Sequence, residues 1–371
     1  MLGNFSCVHP QYKSLKKKLK EYLTIDKMGG WMVLSDRTLL KSGDKNVHVL
    51  YLRKRLLASG ELPESPAMND SLYDSLVTDA LKEFQRTHGL KENGNVDPPT
   101  LAELNVPIEN RIAQIRLNME RWRWMPIVKE VHVLVNLAGF RMDVIENNGA
   151  VLDMKIIAGT SANSTPIFNA KMTYLILNPW WEIPLSIARK EMLPEMKKDS
   201  SYFRKKNIKM YTSWKPGAPE LSFNNIDWQS LQAKNFNYRL RQTPGNWNAL
   251  GQIKFMFPNK YSIYLHDTPN KSLFSKTIRT FSHGCIRIEQ PIELASYLLR
   301  EDTAWTKEKI IEAIELKEEK IISVDPITVY VAYFTVYPDK TGCIYFNSDI
   351  YKYNKELQKN FTFKCGNGSL I

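Results

Sequence analysis

What this 371-residue chain lacks narrows its identity first. Its four cysteines, Cys7, Cys285, Cys343 and Cys365, form no Cys-x-x-Cys pair and share no zinc-type spacing with histidine, so neither a structural metal nor a dense disulfide framework is expected. A single Cys343–Cys365 bridge stays open. No stretch reaches the roughly 18 apolar residues of a membrane-spanning helix. The longest, Ile327 to Tyr337, is broken by Thr328 and Thr335 and reads as a strand. Met1 to Pro10 holds no basic segment followed by an apolar one, the mark of a secretory leader. The net charge is +12, yet neither an RNA-binding aromatic signature nor finger spacing accompanies it, so nucleic acid is not the expected partner.

What is present suffices for more than one core: 43% of residues are hydrophobic and 11% aromatic. Lys16, Lys17, Lys18 and Lys20 lie beside Leu15, Leu19 and Leu23 at helical spacing. They read as the solvated face of a helix or as a patch for a polyanion. Helical patterns continue at Val49/Leu52/Leu56 before Gly60, at Val77/Ala80/Leu81/Phe84 before Gly89, over Thr100 to Leu104 after an Asn93-Gly94 turn, and at Ile112/Ile115/Met119 before Pro126. The period then changes to two. His132–Leu137, Phe140–Val144, Lys171–Leu177 and Lys254–Phe257 read as strands, with Asn147-Asn148-Gly149 as a hairpin turn. Between Ile187 and Asn248 this pattern lapses into a polar, tryptophan-containing insertion that fits a lid over a cleft or a locally packed elaboration.

Chemistry concentrates in Tyr264-Leu265-His266-Asp267 and Phe281-Ser282-His283-Gly284-Cys285-Ile286-Arg287. His266 and Cys285 each sit at the edge of an alternating apolar run, so adjacent strands can bring imidazole and thiol to one place. A free thiol is only a few per cent thiolate at neutral pH, and a histidine within reach can take its proton. Gly284 lets the backbone turn tightly and offers amide groups to an oxyanion.

The string of His266, fifteen residues, Ser282-His283-Gly284-Cys285 and Arg287 resembles the signature of the L,D-transpeptidase (YkuD-type) catalytic domain. Arg116–Trp124, Leu177–Trp181, Arg239–Gln242, Asn248–Gly251 and Lys254–Asn259 resemble its large YcbB-type members. Leu52–Leu56, Phe84-Gln85, His88–Leu90, Asn93-Gly94 and Thr100-Leu101 resemble the three-helix peptidoglycan-binding module, with an insertion around Glu61 to Asp70. The resemblance implies Cys285 as nucleophile and His266 as base. Tyr264 would lie near the oxyanion site, Arg287 would contact substrate, and Ser282 and His283 would flank the nucleophile, with His283 either functional or structural.

It further implies 3→3 cross-linking of peptidoglycan stem peptides through a thioester with release of D-alanine, acylation by carbapenems, no cofactor or metal, and a Gram-negative cell-envelope setting with the export signal and upstream scaffold lying outside this chain. The acceptor stays open among a stem peptide, a lipoprotein and a D-amino acid. The expected class is α+β. Its divisions are an N-terminal helical segment at 1–43, a peptidoglycan-binding-like helical unit at 44–106, a connecting helix at 107–127, a mainly β catalytic unit at 128–325 with a capping insertion at about 194–246, and strands and a polar tail at 326–371.

Overall fold

The computed structural model describes residues 9–64, 70–147 and 149–360. Cys7, Cys365 and hence the Cys343–Cys365 bridge, the reading of Met1 to Val8, Asn148 of the predicted turn and 65–69 of the predicted insertion lie outside them.

Five helices open the chain: α1 (Pro10–Lys27), α2 (Val47–Ser59), α3 (Ser75–Thr87), α4 (Pro98–Leu104) and α5 (Ile108–Trp124). Their starts are chemically marked. Asn46, Asp74 and Asp97 each accept a backbone N–H of the first turn of α2, α3 and α4, relieving orphan donors there. Gly60, at φ +93°, closes α2 in the left-handed conformation that glycine alone adopts freely. The apolar stripe of α3 meets Val49, Leu52 and Leu56 of α2 and Leu101 and Leu104 of α4 in one small core.

The strands follow. β1 (His132–Asn136), β2 (Arg141–Glu146), β3 (Gly149–Gly159) and β4 (Phe168–Leu177) lead into β5 (Trp181–Ile183), β6 (Ile208–Tyr211) and β7 (Arg239–Gln242) of the insertion. After them come β8 (Ile253–Met256), β9 (Leu265–His266), β10 (Thr280–Ser282), β11 (Ile286–Ile288), β12 (Lys320–Ala332), β13 (Val336–Pro338) and β14 (Ile344–Phe346). Pairing runs β10-β3-β11-β9-β8-β4-β12-β1-β2, and β2 returns to β3, so eight of these strands close a barrel with β10 attached outside. The fold is thus a mainly β, barrel-like unit joined to a helical one, α+β as expected.

Strand β1 shows how alternation builds two cores at once. Val133 and Val135 point into the barrel, packing with Ile286, Ile288, Leu265 and Phe255, while Leu134 faces outward onto α1 and α5. Helices α9 (Pro291–Leu298) and α10 (Lys307–Glu315) add Leu294, Ala295, Ile310 and Ile314 to the barrel core.

Three expectations change. The boundary at 325/326 cuts through β12, which pairs with both β1 and β4; the register shift between Ser323 and Ile327 absorbs Pro326, a residue that a regular ladder would not accept. The tail from Tyr353 opens with a helix, α11 (Tyr353–Asn360). The insertion begins earlier than 194: β5, β7 and β6 form a separate three-stranded sheet, joined by α6 (Leu185–Ile187), a π-turn over Ala188–Met192, α7 (Leu193–Lys198) and α8 (Tyr202–Lys205). It has its own core around Phe203, Met196, Phe236, Leu240 and Trp228, while Trp214 and Trp247 are exposed.

Candidate active site

Two short parallel strands, β9 and β11, set the site. Leu265 pairs with Ile286 and His266 with Arg287. Leu265 and Ile286 are fully buried in the barrel core, so period-two alternation puts Tyr264, His266, Cys285 and Arg287 together on the opposite face. Strand β8 adds a fifth residue, since Lys254 pairs with His266 on the other side of β9 and therefore shares that face.

The imidazole of His266 is buried, and its Nδ1 lies 2.6 Å from the Asp267 carbonyl. A carbonyl only accepts, so Nδ1 carries the proton and Nε2 is left as the acceptor. Burial, with Arg287 and Lys254 nearby, holds the ring near a pKa of about 3, neutral at physiological pH. Asp267 is fixed in turn. Its carboxylate accepts from the Gln252 amide at 2.9 Å and pairs with Lys271 at 2.5 Å. That approach needs a glycine at 251, because a Cβ there would sit 2.4 Å from the carboxyl of Asp267.

Cys285 is half-buried, and its thiol reaches the Ser262 carbonyl at 3.8 Å. Ser262 is held at φ +56°, in the left-handed region, by a loop that Asn259 brackets with bonds to Phe257, Tyr261 and Ile263. Burial pushes the thiol pKa up; Tyr264, Lys254 and Arg287 pull it back towards thiolate. Among the described residues no hydrogen bond joins Cys285 to His266. The expected imidazole–thiol pair therefore shares a strand pair and a face without a direct bond in this resting arrangement.

The turn before the thiol is rigidly made. Ser282 is buried; its hydroxyl donates to the Cys285 carbonyl and accepts the Gly284 amide at 3.2 Å. Thr165, fully buried, donates to the Gly284 carbonyl at 2.8 Å. One expectation is corrected by these bonds: the Gly284 amide is already used and is not an open oxyanion donor. Ser282, expected to flank the nucleophile, braces the turn. Gly284 itself is needed for its φ of +116°; an added Cβ would meet nothing closer than 3.4 Å. The amide of Cys285 has no backbone partner among the described residues.

Residues 130–312 match the family model described as L,D-transpeptidase catalytic domain, and residues 46–104 match the one described as "Putative peptidoglycan binding domain". The 130–312 unit belongs to the L,D-transpeptidase catalytic-domain family. A Haemophilus influenzae protein named "Putative L,D-transpeptidase" is 32% identical over 264 residues, covering 70% of this chain and 50% of that protein, so the chain spans about half the length of this curated relative. Solved L,D-transpeptidases from Xylanimonas cellulosilytica (14% identity, TM-score 0.24, covering 79% of this chain and 97% of that one) and Stackebrandtia nassauensis (13%, 0.30, 79% and 94%) are among the structures matched.

Two features of the transpeptidase domain escaped the motif. Lys254 was legible as a strand residue and as part of the Lys254–Asn259 resemblance, with no site role; its place at the site comes from the β8–β9 register, which no local pattern encodes. His283 is exposed and its Nε2 lies 2.6 Å from Glu191 on the π-turn of the insertion, so it ties the turn before Cys285 to the insertion.

Proposed function

We propose that this chain is a peptidoglycan L,D-transpeptidase that uses Cys285 as nucleophile and His266 as general base. The observation that carries the reading is the shared face of β9 and β11, where a thiol, an imidazole with its tautomer fixed, a tyrosine and an arginine converge. Since the ring is neutral and the thiol protonated at rest, the proton passes from Sγ to Nε2 as Sγ attacks the donor carbonyl, once substrate binding closes the gap. Negative charge on the carbonyl oxygen would be met by the Cys285 amide and the Tyr264 hydroxyl.

Collapse of that intermediate protonates and expels the terminal D-alanine of a tetrapeptide stem, leaving a thioester on its third residue. The amine of a second stem then attacks the thioester, giving a 3→3 cross-link and returning thiol and imidazole to their starting state. Water in place of that amine makes the same machinery a carboxypeptidase. The insertion, tied to the turn before Cys285 through Glu191 and His283, would gate the thiol. Carbapenems acylate the same sulfur, and the setting is the periplasm of a Gram-negative envelope, where such stems occur.

Intact mass after incubation with a carbapenem, and with a purified tetrapeptide stem, tests this on wild type and Cys285→Ala. One adduct per chain, D-alanine release and a dimeric stem, all absent from the variant, are expected. An adduct retained by the variant would refute the assignment of the nucleophile.

A further inference from the structure

Lys254 and Arg287 flank the thiol and imidazole from opposite sides of β9, one on β8 and the other on β11. Both are partly buried. Charged side chains withdrawn from water normally carry a partner, and elsewhere in this chain they do: Arg53 meets Asp74 at 2.7 Å and Arg111 pairs with Glu103. At these two positions, among the described residues, no ion pair or side-chain hydrogen bond is made, and Arg287 Nε is buried with no partner. Lys254 Nζ instead rests 4.0 Å from the Tyr264 ring centroid. Glu182 and Glu319 are the carboxylates that act on Lys254, but Glu182 is held by Arg239 and Arg241, and Glu319 accepts the Trp180 amide. Two cations beside a nucleophile with no resident counter-charge leave the counter-charge to the ligand.

We propose that Lys254 and Arg287 form an anion subsite for the C-terminal carboxylate of the residue expelled from the donor peptide. This rests on the acyl-transfer reading above. With the scissile carbonyl at Sγ, a carboxylate on the leaving residue lies only three bonds beyond the carbonyl carbon, on the face that both cations share with the thiol. A longer or amidated peptide presents no charge at that point, so the subsite selects donors that end one residue past the attacked bond. The same cations favour thiolate, which by itself would be tuning and not recognition.

The test separates these by reagent charge. Rates of Cys285 alkylation by iodoacetate and iodoacetamide are measured on wild type, Lys254→Met, Lys254→Arg and Arg287→Gln, with melting curves to show that each variant is folded. The iodoacetate-to-iodoacetamide rate ratio should fall roughly tenfold in Lys254→Met and in Arg287→Gln, as loss of one nearby cation predicts, and return in Lys254→Arg. Equal slowing of both reagents would reduce the pair to thiol tuning and overturn the subsite. A second arm offers tetrapeptide donors with a free or amidated C-terminus to wild type. Consumption of the acid at least tenfold faster supports the assignment, and equal consumption overturns it while leaving the transpeptidase reading intact. A ratio that falls while neither peptide is consumed sinks the peptide reading and leaves an anion site of another use.

Discussion

At the scale of single residues, the site is governed by burial against charge. His266, held near pKa about 3, is neutral when folded and binds a proton near its ordinary pKa of about 6.5 when unfolded. The unfolded state therefore binds more protons between those values, and stability rises with pH through that window by up to about 1.4 kcal/mol per pH unit from this group, becoming fully present above it. His88, sealed between Phe84 and Phe346, shifts in the same direction. Denaturant midpoints measured from pH 7 down to pH 4 should fall, and His266→Gln should flatten part of that slope; an unchanged slope in the variant would contradict the assignment.

Alkylation of Cys285 by a neutral reagent should accelerate with pH without a step near 6, because the thiol is raised by burial and no imidazolium partner titrates there. Alternation about two apolar runs reached His266 and Cys285, and the family resemblance added Tyr264 and Arg287. Sequence pattern reached the tight turn at Gly284 but not the bond that occupies the Gly284 amide, because a hydroxyl turned back on its own loop looks, in one dimension, the same as one turned outwards.

At the scale of elements, the helices were legible because apolar residues recur at helical spacing and glycine or proline marks their ends, and the barrel strands because apolar residues alternate. Where a strand crosses Pro326, or where the insertion packs its aromatics inwards, local chemistry reads as a stop or a surface, and only pairing partners decide otherwise. The insertion keeps a core apart from the barrel. Phe203→Ala, at a fully buried site, should cost about 3–5 kcal/mol inside that core. Hydrogen exchange should then speed in β6 and β7 while β1, β4 and β12 keep their protection; uniform loss would show a single cooperative unit instead. The His283–Glu191 contact is half-exposed on both sides, so Glu191→Gln should shift global stability by less than about 1 kcal/mol, measurable as an unchanged melting midpoint.

At the scale of the whole molecule, the small helical unit is docked rather than tethered. His88 stacks between Phe84 of its own core and Phe346 of the β13–β14 hairpin, with centroids 3.9 and 5.2 Å away, and Arg86 reaches the Tyr345 hydroxyl. Arg53 and Arg55, within the Leu52–Leu56 run of the module pattern, are buried: Arg55 donates to the Leu104 carbonyl at 2.8 Å and lies over Trp31. Phe346→Ala should therefore loosen the join between units by about 3–5 kcal/mol, seen as a second, earlier unfolding transition.

The barrel closure has a further consequence, in time instead of space. Residue 132 pairs with residue 328, so β12 is the last stave and the ring cannot close until nearly the whole chain is available. The matched catalytic domain ends at residue 312, before β12 begins. A chain stopped there would hold Tyr264, Lys254, His266, Cys285 and Arg287 and still leave β1 and β4 as bare facing edges, prone to pair with other molecules. Such a protein should emerge aggregated and inert to carbapenem: every reactive group is synthesised early, and the molecule stays chemically silent until its final strand is threaded between the first and the fourth.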